Sequence, residues 1–262
     1  MTDLPWRIAM ASTIGTSHAA ASQPCQDSHL QLELADSAGQ PILLLAAADG
    51  AGSAAVAEIG AALACRAFAQ LVGEYIATGG EVRRISRALV CRWMAGVAYS
   101  LAERAKADGR EPADYACTLL AAIVGEKAAA FVQVGDGAIV ISQVPTVAGW
   151  RHVFWPQHGE FANTTNFVTS ENVHDTLDFA LTSDPVAEVA IFTDGLENLV
   201  LQKIERQAHA PFFDSMFRAV RRSTVQGVDH GLCAHLKTYL ASAPVNARTD
   251  DDKTLILASR RQ

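Results

Sequence analysis

The chain has 262 residues, half of them apolar and 19% charged, with a net charge of −7. At about 150 residues per domain this is material for one or two domains with a sizeable core, which excludes a disordered or collagen-like chain. The acidic balance, with basic residues no denser than Arg83-Arg84 and Arg221-Arg222, excludes a nucleic-acid groove and disfavours extended contact with an anionic membrane.

Residues 6–34 have the pattern of short strands around a polar loop at 15–28. Residues 42–48 are a continuous apolar run between Pro41 and Asp49-Gly50, which suits a strand covered on both faces. Beyond Gly52 the period lengthens. Ser53 is the expected N-cap, Val56, Ile59, Leu63 and Leu71 recur at helical spacing, and Gly79-Gly80 closes the helix. A second helix carries Val82, Ile85, Leu89, Trp93, Val97 and Leu101 on one stripe, with Arg83, Arg84, Arg87 and Arg92 on a solvated face, and ends near Asp108-Gly109. Apolar runs at 117–124, 128–134, 138–144 and 150–155, separated by Gly- and Pro-bearing turns, predict an antiparallel meander. The polar stretch 156–175 is longer than most structureless connections, and such loops are often functional. Strands at 177–182 and 188–192, helices at 212–222 and 231–241, and a strand at 254–258 complete the order. One-sided helices segregated from antiparallel strands predict one α+β layered domain over 1–262, without repeats or linkers.

Cys25, Cys65, Cys91, Cys117 and Cys233 stand singly with no C-x-x-C pair, and read as reduced thiols. The first residues lack the basic-then-apolar order of a signal peptide, and the run 42–48 is too short to cross a bilayer. The expectation is a soluble cytoplasmic protein.

Four of the apolar runs abut an aspartate-bearing turn: 43–48 before Asp49-Gly50, 131–134 before Gly135-Asp136-Gly137, 190–192 before Thr193-Asp194-Gly195, and 253–258 after Asp250-Asp251-Asp252. A single Asp-Gly is most simply a turn that uses positive φ, and Asp108-Gly109, which follows a charged helix end, is read that way. The joint pattern says more. Strand ends of one sheet converge on one edge, and carboxylates gathered there repel one another unless cations lie between them. All-oxygen ligand sets suit Mg²⁺ or Mn²⁺, and no H-E-x-x-H spacing favours zinc. Two such cations roughly 3.5–4 Å apart acidify a shared water and orient it for in-line attack on phosphorus.

Gln26-Asp27, Asp49-Gly50-Ala51-Gly52, Cys117-Thr118-Leu119 with Val134-Gly135-Asp136, Thr193-Asp194-Gly195-Leu196 and Asp251-Asp252-Lys253-Thr254 occur in that order. The set, spanning about 15 to 257, resembles the metal-dependent phosphatases of the protein phosphatase 2C family, in particular a bacterial branch. The resemblance implies an α-β-β-α sandwich of two antiparallel sheets with a helix pair on each outer face. It implies hydrolysis of phosphoserine or phosphothreonine by a metal-bridging hydroxide, without a phospho-enzyme. Asp49 would bridge two Mn²⁺ or Mg²⁺ ions, the Gly50 carbonyl would bind the second, and Asp194 and Asp251 would complete the first site. Asp136 with Asp194 would form a third, and Asp27 would hold water from behind, so Asp49, Asp194 and Asp27 are the expected catalytic carboxylates. The implied partners are a phosphorylated protein and a cognate serine/threonine kinase, with neither nucleic acid nor membrane.

Three positions depart from the family pattern. Gln26 stands where many members have Glu, Ala51 where eukaryotic members have a His, and Ser22 where a phosphate-clamping Arg is expected. Contact with phosphate must then come from other groups, for which His18 and His158 are the candidates. Residues 160–167 fall where the family has a variable flap. Cys25 sits beside the expected metal residues and is read as an inert thiol. The departures also motivate a rival reading, a phosphoprotein-binding module of the same fold without turnover. A further rival uses the same ions on a small phosphomonoester.

Overall fold

The computed structural model describes residues 5–143, 149–157 and 165–261. In chain order the elements are β1 (Trp6–Thr13), α1 (Thr16–Ala20), β2 (Ser28–Ala35), β3 (Pro41–Ala48), α2 (Ala57–Ala77), α3 (Arg87–Asp108), β4 (Leu119–Val124), β5 (Ala129–Val134), β6 (Ala138–Gln143) and β7 (Arg151–His152). There follow α4 (Val173–Thr176), β8 (Asp178–Thr182), β9 (Val186–Phe192), α5 (Glu197–Val200), β10 (Leu201–Gln202), β11 (Gln207–Ala208), α6 (Ala210–Arg222), β12 (Gly227–Val228), α7 (His230–Leu240), α8 (Ala243–Asn246) and β13 (Lys253–Arg260).

Two sheets face each other, one ordered β2-β3-β4-β5-β8 and the other β12-β1-β13-β9-β6-β7. Strand alternation sorts their side chains into three apolar layers. Leu43, Leu45, Leu120 and Ala122 meet Ile8, Ile139, Ile191 and Ile256 between the sheets. From the same strands Leu44, Ala46, Leu119 and Ala121 point the other way, against Phe68, Val72, Met94 and Val97 of α2 and α3. Leu255, Leu257, Ala190 and Phe192 pack against Phe213, Phe217, Leu236 and Leu240 of α6 and α7. The expected sandwich is therefore present, and β3 and residues 255–258 of β13 are apolar because both of their faces are covered. The ladders are antiparallel except for the short parallel pairing Arg7↔Gly227 and Ile8↔Val228. Among the described residues no helix is long and apolar enough to cross a membrane.

Several boundaries differ from expectation. Ser53 does not cap the first long helix, which begins at Ala57 after Val56. Tertiary bonds hold the intervening turn, with Ala51 N donating to Ala116 O at 2.8 Å and Val56 N to Asp114 O at 3.0 Å. Val82–Arg84 form a separate 3₁₀ turn, and the next helix starts after Ser86, whose hydroxyl accepts from Leu89 N at 3.3 Å. Gly109 ends it at φ 66°. Of the run 150–155 only Arg151–His152 pairs as strand, and residue 144 lies outside the described residues. Arg87 is exposed, as expected, but it also makes two hydrogen bonds. Its guanidinium donates to Leu177 O at 2.6 Å and His174 O at 2.9 Å, tying α3 to the entry of β8.

Register brings the acidic turns together. Leu255 pairs with Phe192 and Ala138 also pairs with Phe192, so the turns at Asp194, Asp136 and Asp251 lie at one end of the second sheet. Ala47 pairs with Leu120 and Leu119 with Val134, which brings Asp49 to the corresponding end of the first.

Candidate active site

Asp49, Asp136, Asp194, Asp250 and Asp251 line one cavity of about 280 Å³, together with Gly50, Ala51 and Thr118. Thr118 brackets the first turn: its hydroxyl accepts from Asp49 N at 2.9 Å and its own N donates to Asp49 O at 2.8 Å. Glycine lets the other turns close on one another. A Cβ on Gly195 would stand 1.9 Å from Asp252 O, and one on Gly15 2.3 Å from Asp250 O. The hydroxyl of Thr165 donates to Asp136 Oδ2.

Burial and mutual repulsion dominate the electrostatics. Burial, then Asp136 and Asp251, push Asp194 up to about 7. Burial, with Asp27 and Asp194 beside it, holds Asp49 well above the ordinary carboxylate range. Asp27 lies behind the cavity, and burial pushes it up to about 7 although Thr193 donates to its Oδ2 at 2.8 Å. Oδ1 of both Asp27 and Asp194 is buried and accepts no hydrogen bond.

Asp49 and Asp194 have other carboxylates as their charged neighbours, whereas Lys253 lies near Asp27 and Asp251, and buried carboxylates require such counter-charge. Among the described residues no group of three or more His, Cys, Asp or Glu side chains is drawn together closely enough to hold a metal ion as it stands. The donor chemistry nonetheless fits hard divalent cations: oxygen ligands throughout, orphaned carboxylate oxygens, and repulsion that a cation would relieve.

A larger cleft of about 630 Å³ opens on the outer face of the second sheet around Glu188. Its carboxylate is already matched by Arg221 at 2.6 and 2.7 Å and by the hydroxyls of Ser142 and Ser259. That cleft holds a satisfied ion pair and lacks the orphaned oxygens of the acidic cavity.

The family model for protein phosphatase 2C matches residues 14–241 of this chain. The chain belongs to the protein phosphatase 2C family. It is 35% identical over 256 residues to serine/threonine-protein phosphatase 3 of Escherichia coli (strain K12), covering 97% of this chain and 98% of that one. Among solved structures it resembles the Mycobacterium tuberculosis serine/threonine phosphatase PstP/Ppp, at a TM-score of 0.64 and 16% identity over 98% and 99% of the two chains. A PstP catalytic domain in complex with two manganese ions is similar at a TM-score of 0.61 and 16% identity, over 97% of each chain. Staphylococcus aureus Stp1 matches at 0.60 and 14%, over 96% of this chain and 94% of that one. Family membership makes this chain a metal-dependent phosphoprotein phosphatase.

The expected site residues can now be placed one by one. Asp49, Gly50, Asp136, Asp194 and Asp251 share the cavity, as does His18. Asp27 stands behind it. Ala51 is part of the cavity wall. Ser22 is exposed in a left-handed turn at φ 56°. Gln26 is buried, its Oε1 without a partner and its N donating to Asp252 Oδ2 at 2.5 Å. His158 and residues 160–164 of the expected flap lie outside the described residues. Cys25 is an inert thiol, because burial and the neighbouring Asp27 and Asp252 push it up to about 12.

Four functional neighbours had no assigned role in the sequence: Thr118, Thr165, Thr193 and Asp252. The available signals were adjacency, since Thr193 precedes Asp194 and Asp252 follows Asp251. Lys253 is also buried, and its ammonium donates to Asp251 O at 2.9 Å.

Proposed function

We propose that this chain releases inorganic phosphate from phosphoserine and phosphothreonine of proteins, with Mn²⁺ or Mg²⁺ held by Asp49, the Gly50 carbonyl, Asp194 and Asp251. Asp136 with Asp194 would hold a third ion, and Asp27 would steady the water-bearing side of the site through Asp49. When bound, the ions supply Lewis acidity and a reactive water at neutral pH. The chain's own contribution is to gather the carboxylates, exclude bulk water from Asp27 and Asp194, and orient the phosphate. His18 belongs to the phosphate side of the cavity in this reading, and His158 is a second candidate.

The observation that carries the reading is the shared cavity of Asp49, Asp136, Asp194 and Asp251, with Asp49 and Asp194 raised by burial and by one another's neighbours. The substrates would be supplied by a serine/threonine kinase. The free state of all five cysteines favours a reducing cytoplasm as the place of action.

The test is phosphate release from a phosphothreonine peptide and from p-nitrophenyl phosphate, each with Mn²⁺, with Mg²⁺ and with chelator. Release from the peptide that requires metal supports the proposal. Metal-dependent release from p-nitrophenyl phosphate alone would favour a small phosphomonoester. Mn²⁺ binding without any release would favour a phosphoprotein-binding module.

A further inference from the structure

We propose that His18, set against the buried carboxylate of Asp252, gives the proton to the departing serine or threonine oxygen. This rests on the phosphatase reading and assigns a role within the same site. Of the described residues lining the acidic cavity, His18 alone carries a nitrogen base; the other titratable side chains there are aspartates. Carboxylates already burdened by repulsion are poor sources of a proton for an alkoxide once cations have ionised them. Ala51, also in the wall, offers no proton.

The imidazole sits against a buried carboxylate in the cavity wall. His18 Nδ1 lies 2.9 Å from Asp252 Oδ2, a charge contact without the alignment of a hydrogen bond, with the His18 side chain 15% exposed and that of Asp252 1%. The contact sets a negative charge beside the ring, and the ring itself lines the cavity. The loop that carries His18 is clamped to the same strand entry. Gly15 N donates to Asp252 Oδ1 at 2.6 Å, Gln26 N to Oδ2 at 2.5 Å, and Ser17 N and Oγ to Asp250 O at 2.9 and 2.7 Å. Asp252 thereby positions the loop that carries the imidazole, whereas its neighbour Asp251 lines the cavity.

The step balances as follows. The bond between phosphorus and the side-chain oxygen breaks, and its electron pair stays on that oxygen. The Nε2 proton of the imidazolium passes to it, giving the free hydroxyl and a neutral imidazole. A water oxygen forms the new bond to phosphorus, and the proton it sheds passes to solvent, from which the imidazole is recharged. The products are the dephosphorylated side chain and inorganic phosphate.

The experiment compares kcat of wild type, His18→Asn and His18→Gln with Mn²⁺ on two substrates. p-Nitrophenolate departs without needing a proton, whereas a threonine alkoxide needs one. Loss of a general acid costs about 10²–10⁴-fold where protonation is required. The loss on the phosphothreonine peptide should therefore exceed the loss on p-nitrophenyl phosphate by at least about 30-fold in both variants. Equal losses on the two substrates, or none on the peptide, would overturn the proposal while leaving the phosphatase reading standing. Absence of metal-dependent release by the wild type would instead remove the phosphatase reading, and this role with it.

Discussion

The hydroxyl of Thr193 donates to Oδ2 of Asp27 at 2.8 Å and accepts from Thr254 N at 3.0 Å, joining the loop before β2 to the site ends of β9 and β13. Thr193→Val keeps the shape and removes both bonds, leaving the buried Thr254 amide unmet and the buried Asp27 carboxylate with one donor fewer, Thr254 remaining beside it. The expected cost is about 1–3 kcal/mol for each buried group left unsatisfied. Urea unfolding should show a lower midpoint for Thr193→Val and a near-normal one for Thr193→Ser. An unchanged midpoint for Val would mean that the bonds carry no net stability.

Removing metal should leave the domain folded, because its three apolar layers do not depend on the acids. In chelator, Asp194→Asn should melt at a higher temperature than wild type, since it removes a charge that Asp136 and Asp251 repel. With Mn²⁺ the order should reverse, as the wild type gains binding energy that the variant lacks. A lower melting temperature for the variant in chelator would contradict the repulsion, and global unfolding of the wild type by chelator at room temperature would contradict the independence of the core.

The same carboxylates set a pH dependence. Asp27 and Asp194 titrate in the folded chain at about 7, both raised chiefly by burial, against roughly 3.9 for an unperturbed Asp. A raised carboxyl favours the fold while protonated, so metal-free stability should fall as pH rises from about 4 through 7 and level off above. Melting in chelator at pH 6.5 and pH 8 tests this, with His29 and His152, whose burial holds them below the ordinary imidazole value, acting in the opposite direction near the lower pH. The melting temperature should be higher at pH 6.5, and a higher value at pH 8 would contradict the assignment.

Cys25 should resist alkylation. Burial, with Asp27 and Asp252 near it, holds the thiol up to about 12, and burial does the same for Cys65. At pH 7.5 the thiolate fraction is then negligible. Mass spectrometry after iodoacetamide treatment should show Cys25 labelled far more slowly than a free thiol, and stoichiometric labelling within minutes would count against this.

What was legible in the chain is local. The run 42–48 shows a doubly covered strand because every residue of it is apolar, and each Asp beside Gly marks a strand end by turn chemistry. What was not legible depends on distant contacts. Asp250, Asp251 and Asp252 are indistinguishable in composition. Their roles separate only when β13 enters its sheet and Asp252 meets Gly15 and Gln26 from the far end of the chain. Ser53 has good capping chemistry, but bonds from Ala51 and Val56 to residues 114 and 116 move the helix start past it. Arg87 reads as surface and is exposed, but its bonds to the His174 and Leu177 carbonyls depend on α4 and the turn before β8 arriving from far along the chain.

The most direct test is phosphate release from a phosphothreonine peptide by wild type and Asp49→Asn in Mn²⁺, with circular dichroism to verify folding. Asp49 stands where the acids of both sheets meet, so the account predicts a fall of more than about 100-fold, the upper range for losing a residue that merely supports a metal ligand. Near-wild-type turnover in folded Asp49→Asn would contradict the assignment of this cavity as the metal-dependent centre.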